Sequence, residues 1–270
     1  MRIYQPVSGV GTALRENSYA IISDVGATIG QGGLDFKLEK MVYPDRPLTI
    51  TMNMDGDSTV RDTLFGALMA RAENIKKEQG NYPARLTARC AVDNREWYDY
   101  FTNLGFDDYN GLELFALRVP ENRTRRKYYS PVGTKSIDVD LKNRIRREEY
   151  LMALRELGSD GHSEEWLEDR MRGFVFIAKS VYYGSELAGS ILITGNQREA
   201  YLDMVGVQPK WRGKGVATSL IDEATMQLVR QKIPYLVARA ERRNKNAVKL
   251  FKRCEFDWIR TEELLLGRNL

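Results

Sequence analysis

The sequence predicts an α+β protein of two tandem domains, each a twisted mixed β-sheet flanked by helices. Three observations predict it. Strand-like runs alternate with amphipathic helical stretches through both halves of the 270 residues; the halves repeat at a fixed offset of 150; and a polar, proline-containing stretch separates them. In the repeat, Ala88-Arg89 recurs as Ala238-Arg239, Asn94 as Asn244, Phe101 as Phe251 and Phe106-Asp107 as Phe256-Asp257, without a gap.

Domain one, residues 1–118, begins with Gly9-Val10-Gly11, read as an ordinary loop. Strands are expected over Tyr19 to Asp24, Leu34 to Val42 and Leu48 to Met54. Leu64, Leu68 and Ala72 then share one face of a helix with Ser58 as its N-cap. A strand from Leu86 to Ala91, a helix from Asn94 to Leu104 and a last strand from Leu112 to Leu117 follow, with Trp97, Phe101, Leu104 and Phe106 as core.

Residues 119–135 read as a linker holding Pro120 and Pro131. Its basic cluster Arg123-Thr124-Arg125-Arg126-Lys127 lacks the basic face with interleaved aromatics that nucleic acid requires, so it reads as solvated. Domain two, residues 136–270, opens with a strand over Ser136 to Val139. Helices follow over Asp140 to Leu157 and Ser163 to Arg172, then strands over Phe174 to Ser180, Leu187 to Thr194 and Ala200 to Val207. A glycine loop leads into a helix from Ala217 to Leu228, a strand from Tyr235 to Ala240, a helix from Asn244 to Cys254 and a strand from Ile259 to Leu266.

Composition bounds the function. With 43% hydrophobic and 29% charged residues and no apolar run near the ~20 residues of a membrane helix, a membrane span is not expected. The opening Met-Arg-Ile-Tyr-Gln-Pro lacks the apolar core of a signal peptide, and the only cysteines are Cys90 and Cys254, which together point to the cytoplasm. Net charge is +4 with the basic residues spread along the chain, and nucleic acid is not an expected partner.

The most informative segment is Val205-Gly206-Val207-Gln208-Pro209-Lys210-Trp211-Arg212-Gly213-Lys214-Gly215-Val216-Ala217-Thr218, in which a strand ends at a proline and a basic glycine loop opens into a helix. Gly213 and Gly215 let the backbone take positive φ and turn consecutive N–H groups into one concavity, which the helix N-terminus makes more positive. Arg212 and Lys214 add charge, so the turn suits a phosphate. A P-loop is excluded by spacing. A dinucleotide fingerprint is disfavoured because Thr218 takes the place of its third glycine and too little chain follows Glu241.

Arg212, Gly215 and Ala217 after a Val-x-Pro strand end resemble the acetyl-CoA pyrophosphate loop of the GNAT N-acetyltransferases. The resemblance implies two tandem GNAT-like domains, acetyl-CoA as co-substrate with no metal, and an acyl-CoA-dependent N-acyltransferase. It further implies that Val205, Val207, Arg212, Gly213, Lys214, Gly215, Val216, Ala217, Thr218, Asn244 and Phe251 line the cofactor site, with the thioester beside a splay in the strand Ala200 to Val207. In the N-terminal copy the offset sets Asp62, Thr63 and Phe65 on Arg212, Gly213 and Gly215, so Asp55, Asp57 and Asp62 would repel a pyrophosphate and Phe65 would crowd it. That copy is expected to have lost its cofactor site.

The chemistry is less complete. The position where many members carry a glutamate base is Tyr201; alternation puts Glu199, Tyr201 and Asp203 on one face, so Asp203 or Glu199 is the candidate base. The position of the family's tyrosine acid is Phe251, which leaves Tyr201 as the candidate donor. His162 reads as a loop residue without metal-ligand partners and Cys254 as a packed one. The expected function is acetyl transfer to a primary amine of a small molecule or peptide, with a weak preference for a cationic acceptor because Asp160, Glu164, Glu165, Glu168 and Asp169 make the early helices acidic; homo-oligomerisation is left open. The alternative is a non-catalytic acyl-CoA-binding sensor or interaction protein.

Overall fold

The computed structural model describes residues 1–38, 40, 43–122, 127–158 and 162–270. The chain forms two compact units: unit 1 comprises Met1–Leu112, Glu241–Arg243 and Thr261–Leu270, and unit 2 comprises Glu113–Ala240 and Asn244–Arg260.

Unit 1 carries strands β1 (Arg2–Tyr4), β2 (Ser18–Ile22), β3 (Thr28–Leu38), β4 (Leu48–Gly56) and β5 (Ala84–Ala91), with helices α1 (Arg61–Glu78) and α2 (Arg95–Asn103). The first four strands pair antiparallel in order, β5 lies parallel to β4, and the end of the chain's final strand pairs antiparallel with β5 from Glu263↔Ala91 to Asn269↔Arg85. Leu64, Leu68, Ala72 and Ile75 bury one stripe of α1 against Leu34, Leu48, Ile50 and Met52. Several details differ from the sequence reading, β3 beginning at Thr28 rather than Leu34. Strand β1 was not foreseen, and Ser58 does not cap α1, whose N-cap is Val60 without a side-chain bond. Val42 lies outside the described residues.

Strand β6 (Asp107–Arg118) begins in unit 1 and ends in unit 2. Unit 2 continues with β7 (Thr134–Asp138), α3 (Arg144–Glu156), α4 (Glu164–Met171), β8 (Val175–Tyr183), β9 (Glu186–Gly195), β10 (Ala200–Val207), α5 (Val216–Gln231), β11 (Tyr235–Glu241) and α6 (Lys245–Arg253). Strand β12 (Asp257–Asn269) begins in unit 2 and ends in unit 1. Bounds of 1–118 and 136–270 keep each last strand with its own copy, whereas in the units Glu113–Arg118 and Thr261–Asn269 change places. Alternating apolar patterns cannot reveal such an exchange, because either sheet satisfies them equally.

Unit 2's strands run in the order β6-β11-β10-β9-β8-β7. The faces divide by side-chain parity. Val175, Ile177, Val181, Ile191, Ile193 and Ala200 pack with Val216, Leu220, Ile221, Ala224 and Leu228 of α5, while Ala178, Leu192 and Met204 pack with Tyr150, Leu151 and Leu154 of α3 and Leu167 of α4.

Candidate active site

Strand β10 supplies the frame. Its parallel register with β11 runs Ala200↔Leu236, Tyr201↔Val237, Leu202↔Ala238 and stops there, although β10 continues to Val207 and remains paired with β9 as far as Val207↔Gly189. Beyond Leu202 the two strands therefore part, and one edge of β10 turns to the gap. Asp203 sits at the parting point, where the β9 register shifts between Leu202 and Met204. The bulge changes the parity: Ala200 and Leu202 face α5 before it, Val205 and Val207 face α5 after it, and Asp203 and Met204 consecutively face α3 and α4. Gly206 shares that second face. A Cβ there would lie 2.6 Å from Leu157 Cβ, so only glycine lets the end of α3 approach β10 this closely.

Below β10 the loop takes the expected form. A 3-10 turn spans Pro209–Trp211, Gly213 has φ +76° and Gly215 φ +90°, and Gly215 is the N-cap of α5. Neither glycine is sterically crowded, so the left-handed backbone alone demands them. The first α5 N–H bonded within the helix is that of Ser219, to Gly215 O at 2.9 Å; no side chain caps this end and no acid occupies its first turn. Val216, Ala217 and Thr218 thus present backbone N–H groups toward the loop. Lys210 is engaged by Glu186, and Trp211 Nε1 donates to the same carboxylate at 3.2 Å. Arg212 and Lys214 form no ion pair among the described residues. Arg212 Nε donates to Val207 O at 3.1 Å, and the Lys214 ammonium lies 4.8 Å from the Trp211 ring centroid. This donor set fits a pyrophosphate: glycine backbone, an open helix end and two exposed cations.

Thr194 Oγ1 donates to Asp203 Oδ2 at 2.6 Å. Burial pushes the Asp203 carboxyl up from its ordinary value, with the Thr194 bond and the nearby Arg170 and His162 pulling the other way. His162, read from sequence as a plain loop residue, stands just before the α4 N-cap Ser163 and stacks on Trp166, with centroids 3.9 Å apart and planes at 16°. Burial lowers its imidazole pKa, Asp203 raises it and Arg170 lowers it. The Arg170 guanidinium lies 5.6 Å from the Trp166 ring. Asp203, Thr194, His162, Trp166 and Arg170 thus form one cluster on the face of β10 beside the gap. Only the single histidine was available as a sequence signal; its nearness to Asp203 needs the fold.

The other sequence candidates are placed differently. Glu199 accepts a hydrogen bond from Tyr201 OH, which raises the phenol's pKa and ties the two together at the start of β10. Asn244 caps α6 by accepting from Ala247 N at 3.1 Å. Phe251 departs from the expected cofactor contact: it is buried between Phe115 and Phe256, at 5.3 and 5.2 Å, in the α5-side core. Its place on the inward face of α6 is set by packing. Cys254 is buried with its thiol pushed up to about 12 by desolvation, as befits a packed residue. The acidity of the early helices is largely internal, for Glu164 pairs with Arg144 and Arg147, and Glu168 with Arg147. Asp160 lies outside the described residues, as do positions 123–126 of the basic cluster.

Unit 1 has a comparable parting of strands, with β4 and β5 in register only to Met52↔Ala88 while β4 runs to Gly56. An open cleft of about 620 Å³ lies at the end of β4, lined by Gly30 and Gln31 of β3 and by Asp55, Gly56, Asp57 and Arg61 among others. Arg61 is held by Glu96 at 2.7 Å and lies 4.4 Å from the Trp97 centroid. Asp62 accepts from Tyr100 OH at 3.0 Å, and Phe65 packs edge-on to Tyr100 and Phe106.

Residues 140–256 match the acetyltransferase (GNAT) family model. That stretch, less than half of the chain, is therefore similar to the GNAT acetyltransferase family. Among solved structures the whole chain is similar to a GCN5-related N-acetyltransferase from Sphaerobacter thermophilus, with 13% identity over 96% of this chain and 82% of that one and a TM-score of 0.55. It is likewise similar to a tandem GNAT protein from the clavulanic acid biosynthesis pathway, with 14% identity over 94% and 82% of the two chains and a TM-score of 0.51. Both likenesses concern the fold. No curated protein sequence matches. No described helix is long and apolar enough to cross a membrane, and no group of three or more metal-ligating side chains occurs among the described residues.

Proposed function

We propose that unit 2 transfers an acetyl group from acetyl-CoA to a primary amine of a small molecule or peptide, in the cytoplasm, and that unit 1 is a copy without a cofactor site. The observation that carries this reading is the pairing of two features on one strand. β10 parts from β11 after Leu202 and, at its far end, leads into a loop that holds Gly213 and Gly215 at positive φ before an uncapped helix. Arg212, Gly213, Lys214, Gly215 and the N–H groups of Val216, Ala217 and Thr218 hold the pyrophosphate. The pantetheine and thioester run along the free edge of β10 from Val207 and Val205 toward Asp203.

The amine nitrogen attacks the thioester carbonyl, a C–N bond forms, the C–S bond breaks and the thiolate leaves. A thiol with an ordinary pKa near ~8.5 leaves without an acid, so the apolar Phe251 at the family's tyrosine position is tolerated. An alkyl ammonium must first lose its proton, at a cost of about 4–5 kcal/mol at neutral pH. Asp203, at the point where β10 and β11 part, is the side chain assigned to take it; Glu199, tied to Tyr201, is the poorer base. The acceptor is bounded by Asp203, His162, Trp166 and Arg170. The paired α4 acids give little support to a preference for cations.

The buried Phe251 favours the alternative reading, an acyl-CoA-binding sensor. Titration with acetyl-CoA followed by thiol release across a panel of amines separates the two: binding with turnover supports the enzyme, binding without turnover the sensor, and no binding contradicts both.

A further inference from the structure

The stretch after β6, predicted as a linker, is built onto α5. The carboxylate of Asp222, 3% exposed, accepts from the backbone N–H of Lys127 at 2.8 Å and of Tyr128 at 3.1 Å. Tyr128 OH donates to Arg253 O at 2.9 Å, and the hydroxyls of Ser130 and Ser219 are 2.9 Å apart. Six residues later Ser136 Oγ donates to Glu223 Oε2 at 2.6 Å, so the chain runs up α5 toward the glycine loop and returns. Thr134 N bonds Pro131 O at 3.1 Å, and Gly133, at φ +83°, completes the turn.

The tip of this excursion reaches the cradle. Tyr129 O lies 4.0 Å from the position a Cβ would take on Gly215, and the Tyr129 side chain is 69% exposed. Two other aromatics stand near the loop and are already engaged with neighbours. Trp211 carries Lys214 on one face and touches Tyr183 at 5.4 Å, while the Tyr183 ring lies against Gly133, whose Cβ position is 2.9 Å from it. Tyr129 makes no ring contact among the described residues.

Resting on the reading of the loop as a pyrophosphate site, we infer that Tyr129 is the platform on which the adenine of the acyl-CoA stacks. A purine one ribose away from a pyrophosphate at Gly213–Val216 is within reach of the tip, whose Tyr129 carbonyl stands beside Gly215. An aromatic face fixed in advance by Asp222 and Ser219 costs little further ordering when it is covered.

The test compares acetyl-CoA with S-acetyl-4′-phosphopantetheine, which lacks the 3′-phosphoadenosine and one phosphate of the diphosphate, by titration calorimetry. Tyr129→Ala is expected to weaken acetyl-CoA by about fivefold to a hundredfold and leave the phosphopantetheine thioester unchanged, and Tyr129→Trp to retain wild-type affinity. Equal affinities of wild type and Tyr129→Ala for acetyl-CoA would overturn the inference while leaving the loop intact. Equal losses for both ligands would overturn it too, by making Tyr129 a support of the loop. A wild-type protein that binds no acetyl-CoA would remove the functional reading itself.

Discussion

Asp203 is buried at a bulge, and its raised pKa has consequences separable from catalysis. Because its folded value lies above the ordinary 3.8, protonated Asp203 favours the fold; that contribution is complete below 3.8 and is lost as pH rises through the folded value. Asp203→Asn keeps an acceptor for Thr194 and removes the charge. The variant is expected to melt higher than wild type at neutral pH, with the difference vanishing in acid, and to lower turnover by ~10²–10⁴-fold with little change in acetyl-CoA affinity. Unaltered turnover would remove Asp203 as base. His162, the only histidine, gives a clean reporter of the cluster by NMR. It should titrate below 6.5, lower still in Asp203→Asn and higher in Arg170→Gln, as the signs of those two charges require. A midpoint indifferent to both substitutions would separate His162 from the site.

At the scale of elements, the glycine loop was readable because its demand is local: two positive φ values before a helix need two glycines. Gly215→Ala is expected to cost about 1–2 kcal/mol in stability, seen as a lower Tm, because alanine would have to occupy a left-handed N-cap. A Tm equal to that of wild type would mean that the loop relaxes to another geometry. Strand β10 was placed at its observed bounds, Ala200–Val207, and α4 within the expected Ser163 to Arg172. What pattern did not carry was the bulge: alternation puts Tyr201 and Asp203 on one face, and the bulge turns Met204 to that face as well. Nor did it carry the cluster around Asp203, since His162, Arg170 and Thr194 come from separate elements. The segment after β6 read only as a linker because its bonds to Asp222 and Ser219 are long-range.

At the scale of the molecule, the repeat was visible because α2 and α6 keep their boundaries at the same offset, Arg95–Asn103 against Lys245–Arg253, each with an asparagine cap. The exchange of last strands was not visible, and it decides what can be cut. Phe115, Leu117 and Val119 belong to unit 2's α5-side core, so a fragment of residues 136–270 loses these side chains, the neighbour of β11 and the Tyr129 tip. Each large apolar side chain taken from such a core costs about 2–5 kcal/mol, comparable in sum to the stability of a domain. The fragment is expected to aggregate or to melt without cooperativity by circular dichroism; a soluble, cooperatively folded fragment with full acetyl-CoA affinity would show that β6 is dispensable.

One acyl-CoA per chain, held in unit 2 on the loop from Arg212 to Thr218, is the state expected of the proposed enzyme. Calorimetric titration of wild type, Arg212→Ala and Asp62→Ala with acetyl-CoA tests it most directly, since Asp62 is the offset counterpart of Arg212. The expected result is one equivalent bound per chain, a loss of about 1.5–3 kcal/mol for Arg212→Ala and none for Asp62→Ala. Two equivalents in wild type, or an Arg212→Ala protein that binds as tightly as wild type, would contradict it.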